Sequence, residues 1–497
     1  MHELKNKKIV NNLAKPGEGL SRRVIRGGAW VFALRITERA FSLIRIIILA
    51  RILAPDDFGL MGIALLTMAT IETFSQTGFQ AALIQKKDNI RTYLDAAWTV
   101  LILRGFLLFT ILFFIAPYAA IFFEVSQAKS IIQVVGFSVL LQAFTNIGVI
   151  YFQKELEFNK QFVHQLTGTL ANFVVAVSAA LALRSVWALV FGSLAASIVR
   201  LAVSYLIHPY RPHLRLDLGK AKELLGFGKW ILSSSILIFL LTQGDDIFVG
   251  KLLGTAALGF YQMAYLISNM PATEISHVIS QVAFPAYSKL QDNLPKLREG
   301  YLRTLQFTAF LSFPIAGLIF LLASDFTRIF LGDKWLPMVP AMAALCIFGA
   351  TRAVNATIGT ILQGMGQPKV STFGSGFQLL IFGAIIYPLT RKWGILGTSI
   401  AVVIPNIFFL LYVSRKLANA LDYKLVKFVT PLLVPITGIA IMFATMFFAQ
   451  VWTDEGLISF LFSALLGVGA YLATVYELDK IFDGGLRDNL RVLFKVG

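Results

Sequence analysis

The chain has 497 residues, of which 57% are apolar and only 14% charged, and its mean hydropathy is +0.73. Apolar runs of membrane-spanning length recur from end to end, which excludes a soluble globular protein and also a barrel built from strands of ~10 alternating residues. The net charge of +17 would suit nucleic acid, but its distribution along the chain points to membrane topology instead.

The first 25 residues are polar and basic, with no signal-peptide pattern, and the first apolar run is a full span. That run, near 26–52, carries Arg35, Glu38, Arg39 and Arg45. Each charge costs roughly 2.5–3.5 kcal/mol at a helix centre, so four together approach ~10 kcal/mol, more than the flanking Leu, Ile, Val and Phe return. At about 100° per residue the four fall on one face, within an arc of about 120°. Such a face needs a wet cavity or a polar partner surface. Three arginines against one glutamate favour an anionic ligand, since guanidinium groups bind phosphate oxygens through paired, charge-assisted hydrogen bonds. A salt-bridge set that merely joins spans is the other reading.

Thirteen further spans follow near 58–84, 92–115, 130–152, 162–183, 185–207, 225–250, 257–284, 300–323, 337–362, 370–390, 393–414, 426–450 and 457–478. The second carries Glu72, Gln76 and Gln80 at i, i+4, i+8; the third carries Arg104. The seventh carries Asp245 and Asp246, the eighth Glu274 and His277, and the tenth Arg352 and Asn355. Arg35, Glu38, Arg39, Arg45, Glu72, Arg104 and Arg352 are therefore candidates to line a central cavity. Asp245, Asp246 and Glu274 are candidates for gating or for coupling to protons or sodium. Lone Cys346 and five scattered histidines argue against disulfides and metal sites.

With the N-terminus in the cytosol, only Arg51, Lys129, Arg184, Lys251, Arg328, Lys334, Arg391 and Lys392 fall in outer loops, a strong positive-inside bias that places both termini in the cytosol. The longest connector, HPYRPHLRLDLGKAKELLGFGKW, is basic and falls near the middle. The expected organisation is a cytosolic segment (1–25), an N-lobe of six spans (26–208), a cytosolic hinge (209–224), a C-lobe of six spans (225–418), a two-span appendage (419–480) and a cytosolic tail (481–497).

The halves repeat with a period near 200. Gly28 and Trp30 match Gly228 and Trp230, and ARILAPDDFGL (50–60) aligns with GKLLGTAALGF (250–260), pairing Gly59 with Gly259. YFQKEL echoes ILQGMG, and RSVWALVFGS echoes RKWGILGTS, in the same order. Parallel repeats imply two lobes about an axis along the membrane normal. Arg45 and Asp245 then occupy equivalent depths, and the expectation is that they approach each other and help close the outer side, or else pair within their own lobes.

The segments GGAW (27–30), ARILAPDDFGL and IETFSQTGFQAALIQ (71–85), with spans grouped as 6+6+2, resemble the polysaccharide transporter family of lipid-linked oligosaccharide flippases. That family belongs to the multidrug/oligosaccharidyl-lipid/polysaccharide exporter superfamily. The resemblance covers essentially the whole chain and implies an all-α polytopic protein of the bacterial inner membrane. Its implied cargo is an undecaprenyl-diphosphate-linked glycan, destined for O-antigen, capsule or exopolysaccharide and turned to the outer leaflet by alternating access. Membrane lipids, a glycan polymerase and export machinery are the implied partners, and nucleic acid is not. No G-x-x-x-x-G-K-[ST] motif is present, no cofactor is expected, and short loops leave no room for a catalytic domain, so an enzyme is not expected. A peptidoglycan-precursor flippase and a cation-coupled multidrug antiporter are the alternatives within the superfamily.

Overall fold

The computed structural model describes residues 20–86, 90–155, 157–452 and 456–482, and among these it is helical without strands. The expected cytosolic segment before residue 20 and the tail beyond 482 lie outside the described residues. Nine of the described helices are long and apolar enough to cross a membrane, or ten if one bent pair forms a single span. This is a multi-pass membrane protein.

Two residues separate helix α1 (Leu20–Ile52) from α2 (Pro55–Phe74). The α2 start is locally encoded. Pro55 sits at the first helical position, where its missing N–H is no loss, and the Asp57 carboxylate reaches back to accept the Ala54 N–H at 2.9 Å. Asp56 and Asp57 also place negative charge at the positive end of the helix dipole. The second span, expected to run unbroken to 84, stops at Phe74 and resumes as a short helix, Phe79–Gln85, after Gly78 in the left-handed region.

Helix α3 (Arg91–Phe122) leads into α4 (Ala128–Ala143), which bends by 70° into Ile147–Lys154. The fourth expected span is thus broken, and Asn146 marks the break: its side chain accepts the Gly148 N–H and donates to the Tyr210 carbonyl. Helices α5 (Phe158–Leu183) and α6 (Trp187–Ile207) form a hairpin. The long α7 (Leu218–Leu290) is interrupted at Gly254, whose φ of 83° lies where a side chain would be strained. Beyond it come α8 (Leu294–Leu321), α9 (Val339–Gly364), α10 (Pro368–Ala420, broken at Gly394), α11 (Val426–Trp452) and α12 (Leu457–Phe482).

The chain forms two compact units. One comprises the described residues within 1–52, 67–120 and 126–235; the other comprises those within 53–66, 121–125 and 236–497. In the first, Phe79, Leu83, Leu94, Trp98 and Ile150 form a core that holds the short helix after α2. In the second, Tyr287, Tyr301, Ile358, Leu417 and Phe428 join α7 to α8, α9, α10 and α11, while Met442, Met446 and Tyr471 pack α11 and α12 on Phe310 of α8. The segment 53–66, contiguous in sequence with α1, belongs to the second unit.

Candidate functional site

In the first unit, Arg45 on α1 is half-buried and donates from Nη1 to Asn172 Oδ1 of α5, while its Nε is buried with no hydrogen-bond partner among the described residues. Phe41 packs edge-on against Phe173 one turn away, at 5.8 Å, so α5 holds this stretch of α1. Glu38 and Arg39 are half-buried on the same helix. The side chain of Arg35 falls outside the described residues, as does that of Glu274.

Arg104 on α3 closes the end of α2. Its guanidinium donates to the Ser75 carbonyl at 2.8 Å, the Glu72 carbonyl at 3.1 Å and the Ser75 hydroxyl at 2.9 Å. Carbonyls at a helix C-terminus lack intrahelical donors, and a cation there also complements the dipole. The Glu72, Gln76, Gln80 stripe does not lie on one continuous helix. Gln76 accepts from the Ser235 hydroxyl at 2.6 Å, and Gln80, on the short helix, donates to Gln153 at 3.2 Å.

In the second unit, the break at Gly254 folds the two arms of α7 together. Asp245, 2% exposed, accepts from the Tyr261 hydroxyl at 2.6 Å through Oδ2, while its Oδ1 is buried with no hydrogen-bond partner among the described residues. Asp246 Oδ2 accepts from Gln262 Nε2 at 2.8 Å. One turn on, Tyr265 accepts from Arg352 Nη1 of α9 at 3.2 Å, with its ring 6.3 Å from that of Tyr261. Arg352 and the two aspartates thus belong to one polar cluster bridged by two tyrosines. The sequence offered the charged residues separately; Tyr261, Gln262 and Tyr265 were missed, although the i, i+4 spacing of the tyrosines was a visible signal. Arg45 and Asp245 are each engaged within their own compact unit.

The start of α2 packs against the second arm of α7 at backbone distance. A Cβ built on Gly59 would stand 1.8 Å from the Thr255 carbonyl oxygen, and one built on Gly259 would stand 2.1 Å from the Pro55 carbonyl oxygen. Residues 200 positions apart thus make the same contact in reverse. Around this seam, Thr255 donates its hydroxyl to Asp56 Oδ1, Lys334 donates to the Leu53 carbonyl at 2.7 Å, and fully buried Trp335 makes near-perpendicular ring contacts with Phe58 and Phe260 at 5.2 and 5.8 Å. Lys251 pairs with exposed Glu124 at 2.7 Å, which holds that carboxyl below its usual pKa.

The connector after α6 is strapped down over its first residues. Tyr210 donates its hydroxyl and His213 its N–H to Asp95 Oδ1 of α3, and the Arg215 N–H reaches Thr99 Oγ1 at 2.9 Å. His208 stacks on Tyr151 at 5.6 Å and accepts the Tyr210 N–H at Nδ1. Burial, with the nearby Lys160 charge, lowers its pKa to about 4.

Comparison with known proteins gives one family match and several similarities over most of the chain. The profile of a family described as polysaccharide biosynthesis protein matches residues 48–340. The lipopolysaccharide biosynthesis protein WzxC of Escherichia coli (strain K12) is 25% identical, covering 78% of this chain and 79% of its own length. The teichuronic acid biosynthesis protein TuaB of Bacillus subtilis (strain 168) is 23% identical, covering 76% of this chain and 79% of its own. Among solved structures, an inward closed conformation of the lipid II flippase MurJ superposes with a TM-score of 0.75 at 13% identity, covering 90% of this chain and 98% of the other. The last similarity is one of fold.

Proposed function

This chain belongs to the polysaccharide biosynthesis protein family, and from that premise we propose that it is a flippase for lipid-linked polysaccharide repeat units. In this reading the cargo is an undecaprenyl-diphosphate-linked oligosaccharide, moved from the cytosolic to the outer leaflet of the bacterial inner membrane by alternating access. The relatives' roles in making lipopolysaccharide and teichuronic acid support a polymer precursor as cargo. The structural likeness to a lipid II flippase speaks for the architecture, not for that cargo.

The observation that carries the reading is the cationic face of α1. Arg39 and Arg45 stand on a helix of membrane length, and Arg45 keeps a buried Nε with no hydrogen-bond partner among the described residues. A guanidinium with an unused donor suits a phosphate oxygen. Crossing ~30 Å of hydrocarbon would cost a diphosphate its hydration, and arginines along the path replace it, while the prenyl tail stays in lipid. Fourteen spans grouped 6+6+2, cytosolic termini, and Asp245, Asp246 and Glu274 as coupling acids complete the proposal. So do a glycan polymerase and export machinery as partners. The role is transport and not covalent chemistry.

Deletion of the gene should cause undecaprenyl-linked repeat units to accumulate on the cytosolic side, and wild-type complementation should clear them. Arg39→Ala and Arg45→Ala, at normal protein levels, should not. Full clearance by both variants would reduce the cationic face to a structural feature.

A further inference from the structure

The buried acid pair and the seam at the start of α2 share one side chain. Gln262 donates from Nε2 to Asp246 Oδ2 at 2.8 Å, and the same amide lies against Gly62 of α2, its Oε1 nearest. A Cβ on Gly62 would meet Gln262 Oε1 at 2.3 Å, Cδ at 2.9 Å and Nε2 at 3.0 Å. Gly62 stands one helical turn from Gly59, on the same side of α2 as Pro55, so the amide seats at the inner end of the glycine contact with Thr255 and Gly259. We propose that Gln262 is a positioning residue that makes closure of this seam depend on the charge carried by Asp246.

The chemistry is directional. An ionised Asp246 only accepts hydrogen bonds, so it fixes the amide with N–H toward the acid and Oε1 toward Gly62. A neutral Asp246 loses the charge-assisted bond, which is roughly twice as strong as a neutral one. The other charged and titratable groups of the cluster are Asp245 and Tyr261 on the same hairpin, Tyr265 beside them, and Arg352 from α9. Of these, Tyr261 and Arg352 are hydrogen-bonded to Asp245 and Tyr265, and Gln262 is the group that joins Asp246 to α2. Nothing at the equivalent place in the first repeat does this, because position 62 is glycine.

The inference rests on the alternating-access reading only for the name of gate; the coupling is testable without cargo. In a Cys346→Ala background, Asp56→Cys with Thr255→Cys replaces two side chains already in hydrogen-bond contact, and their oxidative cross-linking in membranes reports seam closure. Asp246→Asn and Gln262→Glu should each slow cross-linking about tenfold, the loss of one charge-assisted bond. Combining them reverses donor and acceptor, with the new amide at position 246 donating to the new carboxylate at position 262, and should restore the rate to within about threefold. Thermal melts of the purified variants show that each is folded. Unchanged cross-linking in the single variants overturns the proposal, as does failure of the folded double variant to recover. If the coupling holds but the locked seam leaves glycan export intact, the flippase reading fails and the coupling stands.

Discussion

Replacing Gly59 by alanine adds one methyl group where the structure has no room for it. That carbon would stand 1.8 Å from the Thr255 carbonyl oxygen, 2.6 Å from the carbonyl carbon and 3.0 Å from Cα, against the 3.4 Å at which ordinary contact begins. The neighbour is backbone, so no rotamer change relieves the clash, and the seam must separate. Overpacking typically costs 1–3 kcal/mol, and a backbone neighbour puts this case near the top, about 3 kcal/mol. At about 1.4 kcal/mol per tenfold, closed seams should become about a hundredfold rarer relative to open ones. The assay is the rate of cross-linking in membranes between cysteines introduced by Asp56→Cys and Thr255→Cys in the Cys346→Ala background. Gly259→Ala is the reciprocal case, since its methyl would meet the Pro55 carbonyl at 2.1 Å. Gly376→Ala is the control: it sits within α10 with nothing among the described residues within 4 Å of the added carbon, so it should leave cross-linking unchanged. Wild-type cross-linking in both Gly59→Ala and Gly259→Ala would refute the reasoning.

Two further outcomes follow from contacts on the first unit. Arg104→Gln should lower stability by about 2 kcal/mol, because hydrogen bonds from a charged donor to the end of α2 are worth about 1.5–3 kcal/mol. Melting temperature and hydrogen exchange of residues 70–76 measure it, and exchange at that helix end should rise most. His208 gives a pH dependence of defined sign. Its folded pKa of about 4 lies below its ordinary 6.5, so the unfolded chain binds the proton first. Its contribution to stability is full above pH 6.5 and is lost as pH falls toward 4. Melting temperature against pH should slope upward across that window and flatten in His208→Phe, which keeps the stack on Tyr151.

Class and chemistry were legible because they depend on quantities that add along a line. Hydropathy over windows of about 18 or more residues identifies a multi-pass helical protein whatever the packing, and a periodicity of about 100° places Arg39 and Arg45 on one face of α1. The local start of α2 was also written in order, as Ala54, Pro55, Asp56, Asp57. Helix ends were less legible. The second span breaks after Phe74 because Gly78 adopts a left-handed conformation and Arg104, some 30 positions away, satisfies the freed carbonyls. A polar stripe at i, i+4, i+8 looks continuous only while such distant donors are unknown. Likewise Arg104 and Arg352 were recognisable as costly intramembrane charges, but their partners, Ser75 and Tyr265, were not.

The sequence by itself determined that this chain crosses a membrane many times, that its first span carries a cationic face, and that Gly59 and Gly259 hold equivalent places in two repeats. Only the tertiary structure decided that these glycines close on Thr255 and Pro55 in reciprocal fashion, and that Gln262 bridges that contact to Asp246. The physical reason is range. Hydropathy and helical phase are set by neighbours a few residues apart, whereas a hydrogen bond or a backbone approach across some 200 residues exists only once the intervening helices have packed.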